Sequence, residues 1–66
     1  MSKEKAKELE RIARNTGIKD EIRLEAVKAL GNLGSDGAES LRRIAEDTGI
    51  KDKIRIAAVK QLGRKD

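Results

Sequence analysis

Residues 16–31, TGIKDEIRLEAVKALG, return 32 positions later as residues 48–63, TGIKDKIRIAAVKQLG. The pentapeptide TGIKD is identical in both places, and the match continues well beyond it. Ahead of the pentapeptide, Ala6, Leu9, Arg11, Ile12 and Ala13 fall on Ala38, Leu41, Arg43, Ile44 and Ala45. After it, Ile22, Arg23, Ala26, Val27, Lys28, Leu30 and Gly31 fall on Ile54, Arg55, Ala58, Val59, Lys60, Leu62 and Gly63. Apolar positions persist while charges vary, as at Glu10 against Arg42 and Arg14 against Glu46. Leu33 against Lys65 is the exception, an apolar residue lost. A period in the range of about 20–50 residues signals a stack of repeated units.

Each unit reads as two helices. Ala6, Leu9, Ile12 and Ala13 lie on one stripe at helical spacing. Thr16-Gly17 ends that helix, with Gly suited to a left-handed closing residue, and Ile18 seals the corner. Asp20 and Glu21 open the next helix, where carboxylates meet unpaired N–H groups and the positive end of the dipole. Its main apolar face holds Ile22, Ala26, Ala29, Leu30 and Leu33. Gly31 or Gly34 stops it, and Asp36 with Glu39 offers a capping-box-like start for the third helix. The expectation is an all-α fold, an α-α superhelix of two helical hairpins. Its four helices span roughly 2–15, 19–32, 35–47 and 51–64, with one repeat at about 2–33 and the other at about 34–66.

Composition narrows the chemistry. The 66 residues contain no Cys and no His, which removes disulfides, thiolate metal sites and the commonest general base. Phe, Tyr, Trp and Pro are absent, so the core must be built from Leu, Ile, Val and Ala. No apolar run approaches the roughly 18 residues of a membrane span, and the first residues lack the apolar stretch of a secretory signal. A cytoplasmic protein with no cofactor and no metal is the expectation. The formal charge of +4 is spread among acids along the whole chain, as on a solvated helical surface.

At about 100° per residue, Arg23 falls between Leu30 and Val27 inside the apolar arc, and Arg55 repeats this. Such a cation is either partly buried and paired or grips something between units. Leu24 and Ile56 point away from Ile22 and Ile54, so the second helices are apolar on more than one side.

The stretch DEIRLEAVKALGNLG and its copy DKIRIAAVKQLG resemble the second helix of HEAT-like repeats, the short type seen in phycobilisome lyases. Ile22, Arg23, Ala26, Val27, Leu30 and Gly31 occupy that family's positions, with Ile54, Arg55, Ala58, Val59, Leu62 and Gly63 repeating them. Lys19-Asp20 and Lys51-Asp52 stand where the family often carries Asp-Pro. The resemblance implies a right-handed stack with the second helices on its concave side. It implies a scaffold for protein partners, some relatives binding DNA instead. It also implies a structural ladder in which Arg23 and Arg55 pair with Asp20 and Asp52 between units.

Three chemical readings follow. TGIKD lacks the clustered glycines of a phosphate-binding loop and is expected to be helix punctuation. Lys19, Lys28, Lys51 and Lys60 form a candidate basic strip for nucleic acid, though Glu21 and Glu25 interleave and no aromatic residue can stack on bases. The acids Asp36, Glu39, Glu46 and Asp47 are scattered, so no enzyme is expected. A small aromatic-free core has little stability to spare. Self-association, most simply as a homodimer, or incorporation into a longer array is therefore expected through a candidate interface of Leu24, Val27, Leu33, Ile56 and Val59. The near-regular units would equally suit an engineered or consensus-derived sequence.

Overall fold

The computed structural model describes residues 2–64 and contains four helices, with no strand among them. They are α1 (Ser2–Ala13), α2 (Asp20–Leu30), α3 (Gly34–Glu46) and α4 (Asp52–Gly63). The α1–α2 and α3–α4 pairs form two hairpins. The second hairpin lies on the first with α3 along α1 and α4 along α2. The expected all-α hairpin fold is what the chain adopts.

The apolar stripes meet between the two layers. Ala13, Val27, Leu30, Leu41, Ile44, Ile54 and Ala58 are wholly removed from water. Ile50, the apolar residue of the second TGIKD, is buried, while its counterpart Ile18 is half-buried.

Each hairpin turns through an Asx loop that begins one residue before TGIKD. Asn15 Oδ1 accepts the Gly17 N–H at 2.8 Å, and Asp47 Oδ1 accepts the Gly49 N–H at 2.8 Å. A side-chain oxygen bonding two residues ahead bends the backbone without a left-handed residue. Gly17 therefore does not take the left-handed conformation expected of it. Among the described residues, Gly34, with φ of 61°, has the only positive φ, and it makes the turn between hairpins. The helix starts also differ from expectation. Lys19 and Lys51 occupy the N-cap positions in extended conformation, neither with a side-chain cap. Asp20 and Asp52 are the first helical residues, where they still face the dipole. Leu33 precedes α3 and no side chain caps it, so Asp36 and Glu39 form no capping box. Lys65, the counterpart of Leu33, lies outside the described residues.

Candidate functional site

The two arginines of the repeated motif act inside their own hairpins. Arg23 Nε donates to the Ala13 carbonyl at 2.8 Å, and Arg55 Nε donates to the Ala45 carbonyl at 2.9 Å. Each guanidinium satisfies a carbonyl left open at the end of the first helix and pins the second helix to it. Arg23 also stands 3.9 Å from Asp20, and Arg55 stands 3.7 Å from Asp52. These are contacts one helical turn apart, so the expected Asp–Arg ladder between units is corrected. The cross-hairpin rung belongs to Lys51, whose Nζ reaches Asp20 Oδ2 at 3.0 Å, with Lys53 at 3.8 Å. The reason is reach: Arg23 is drawn inward onto Ala13, which leaves the Asp20 carboxylate facing the next loop. Arg23 Nη2 is buried without a hydrogen-bond partner.

A second cross-hairpin contact joins α1 and α3 through charges that the repeat comparison treats as mere exchanges. Glu10 accepts from Arg43 Nη2 at 2.9 Å and from Arg14 Nη1 at 2.9 Å, and Arg14 Nε donates to Asp47 Oδ2 at 3.0 Å. Burial pushes the Glu10 carboxyl up. Hydrogen bonds from Arg43, Ser40 and Arg14, with the Arg43 charge, outweigh it and hold the group below its ordinary value. Asp47 is held down first by the Gly49 N–H and then by Arg14. The reversed signs at positions 10 and 14 against 42 and 46 were the available signal for this network. A shallow cavity of about 430 Å³ beside Glu10 is lined by Lys7, Arg11 and Arg14. Its carboxylate is committed to two guanidiniums and offers no free base.

The basic strip is interrupted. Lys51 is tied to Asp20, and Lys28 Nζ lies 3.5 Å from Glu25. Lys19 and Lys60 are exposed.

The candidate interface residues separate into three groups. Val27 is 0% exposed within the chain's own core, so its place in an external interface is corrected: α4 lies along its helix. Leu24 and Leu33 are half-buried against that core. Ile56 and Val59 are 53% and 56% exposed. With Ala45, Asp52 and Arg55 they line a groove of about 260 Å³ on the outer side of the α3–α4 hairpin. The corresponding residues of the first hairpin are Ala13, Asp20, Arg23, Leu24 and Val27, and the second hairpin covers them. The groove is therefore the inter-hairpin interface repeated without its cover.

Sequence reasoning placed Ile22 on the inner face, yet it is 50% exposed, whereas its counterpart Ile54 is 0% exposed. Among the described residues, no helix packs on the side of the first hairpin away from the second. The stack thus has two ends, marked by Ile22 at one and by Ile56 and Val59 at the other. No helix among the described residues is long and apolar enough to cross a membrane.

Neither the curated proteins nor the solved structures contain a match to this chain. A family model does match, and it supports the helical-repeat part of the resemblance drawn from the motifs without supporting the short HEAT-like type. That model is the vitellogenin TPR domain, it covers residues 2–65, and the chain belongs to this family.

Proposed function

We propose that this chain is a non-catalytic helical-repeat interaction module whose docking surface is the open end of the α3–α4 hairpin, and that it self-associates there. The carrying observation is the pair Ile56 and Val59, more than half exposed at positions whose counterparts Leu24 and Val27 are half-buried and fully buried. Exposed β-branched side chains on a surface built to be covered gain about 25 cal/mol for each Å² removed from water. A stable interface takes about 800 Å² from each partner, roughly a fifth of the 4369 Å² surface of this chain. Association is accordingly expected to depend on concentration.

The short HEAT-like reading rests on the Ile-Arg and Leu-Gly pairs of α2 and α4, and the docking face is the same with or without it. Cysteine-free composition supports a cytoplasmic setting. The rival reading, a basic strip for nucleic acid, needs Lys51 and Lys28 released from Asp20 and Glu25. Retention of random DNA at about 50 mM salt, lost steeply as salt rises, would favour that rival. Sedimentation equilibrium over a concentration series tests the main reading. The expected result is a native mass rising from one chain toward two, and a mass fixed at one chain at all concentrations rejects it.

A further inference from the structure

The two ends of the stack differ in more than position. Where the second hairpin covers the first, α3 presents Gly37 and Ser40. A Cβ at residue 37 would overlap the Leu30 carbonyl oxygen. Ser40 is 1% exposed, its hydroxyl donating to the Ala6 carbonyl at 3.4 Å. Close approach of α3 therefore depends on one residue without a side chain and one with a very small side chain. The counterparts on α1 are Lys5 and Glu8, both exposed, and Glu8 is ion-paired with Arg11. A second copy laid on the open end as the second hairpin lies on the first would drive Lys5 into the place of Gly37. It would also bury the Glu8 carboxylate in the place of Ser40. Charge opposes the same arrangement. Glu10 meets Arg43 inside the chain, whereas the equivalent contact between copies sets Arg42 against Arg11. The first hairpin is thus built as a polar terminus, a common feature of repeat arrays.

Resting on the self-association proposed above, we infer that the occupant of the open end is the open end of a second copy, so that the assembly is a closed two-fold dimer rather than a growing head-to-tail stack. Ile56 and Val59 stand one helical turn apart on α4, so an antiparallel pair of α4 helices sets Ile56 against the partner's Val59 and the reverse. Among the described residues no side chain lies within 4 Å of where a Cβ at Gly63 would be, which allows this part of α4 to approach closely. In that register the exposed Asp52 carboxylate lies toward Arg64 of the partner subunit. Arg42 and Glu46, the exposed counterparts of Glu10 and Arg14, and Arg55 with Asp52 give the face both signs of charge, so pairs can form across the two-fold axis.

The test compares wild type, Val59→Glu and Ile22→Glu by sedimentation equilibrium, with thermal melts showing that each variant is folded. The wild-type mass is expected to level off at two chains. Val59→Glu should weaken association about a hundredfold or more, since a two-fold axis counts each substitution twice. Ile22→Glu should change it less than about threefold, and mixing it in equal amount with Val59→Glu should give no more association than Ile22→Glu shows alone. Growth past two chains, or two variants that each fail alone but associate when mixed, overturns the two-fold arrangement and leaves self-association standing. A wild-type mass of one chain overturns self-association itself. Unchanged association of Val59→Glu moves the interface elsewhere and overturns both.

Discussion

The two hairpins carry nearly the same residues and hold them in different states. Arg23 is 2% exposed, while the side chain of Arg55, making the same bond to the preceding helix, is 31% exposed. Val27 is sealed and Val59 is open; a Cβ at residue 31 would strike the Gln61 side chain, whereas among the described residues one at residue 63 would meet no side chain. At these positions the local sequence is matched between the hairpins, and their place in the stack separates them. The chain is an internal control on what covering a helical face does to each residue in it.

The sharpest way to break that comparison is to truncate both arginines. Arg23→Ala should cost about 3 kcal/mol, because it opens a cavity and leaves the buried Ala13 carbonyl unpaired. Arg55→Ala should cost about 1 kcal/mol, since water can reach the freed Ala45 carbonyl. Urea denaturation followed by helix content measures both, and equal losses would mean that covering the hairpin makes no difference to its arginine. Next in size is Gly37→Ala, expected to cost about 2 kcal/mol as α3 is pushed off the Leu30 carbonyl. Lys5→Ala, at the equivalent site on α1, should stay within about 0.5 kcal/mol.

Acid tests the cross-hairpin charges. The carboxyls of Glu10, Asp20 and Asp47 all titrate below their ordinary values. A lowered folded-state value contributes stability that is complete above the unfolded carboxylate value, about 4. That contribution is lost as pH falls through the lowered value. The melting temperature should therefore be flat from pH 7 to about 5 and fall below that. Glu10→Gln should lose about 1 kcal/mol at pH 7 and show a shallower fall in acid. An identical acid profile would show that the Glu10 network adds nothing. The smallest expected effect is a gain: Gly63→Ala should stabilise α4 by about 0.5 kcal/mol. Gly31→Ala should lose stability, because the Gln61 side chain must move aside.

Much of this fold was legible because helical period and repetition report local faces. The stripe Ala6, Leu9, Ile12 and Ala13 and the motif Ile-Arg-x-x-Ala-Val placed four helices to within three residues at their ends. At Gly17 the decisive residue is the Asx preceding TGIKD, an interaction between neighbours that apolar period does not report. Exposure was harder still. Ile22 and Ile54 are the same residue in the same motif, and so are Val27 and Val59, so no local pattern could say which of each pair is covered. Asp20 with Arg23 and Asp52 with Arg55 pair within one helix and not between units, because spacing along a helix does not reveal which way a long side chain folds. Position in the stack, and not chemistry, decides those cases.

The unpartnered Nη2 of Arg23 also bears on how the molecule assembles. Before the hairpins meet, the first one alone would leave that guanidinium about as wet as Arg55 is now. Closing the second hairpin over it strips away water that no protein atom replaces. Helix formation within each hairpin is local and fast. The slow event is then expected to be the docking of one finished hairpin on the other, with dehydration of a single cation near the top of its barrier.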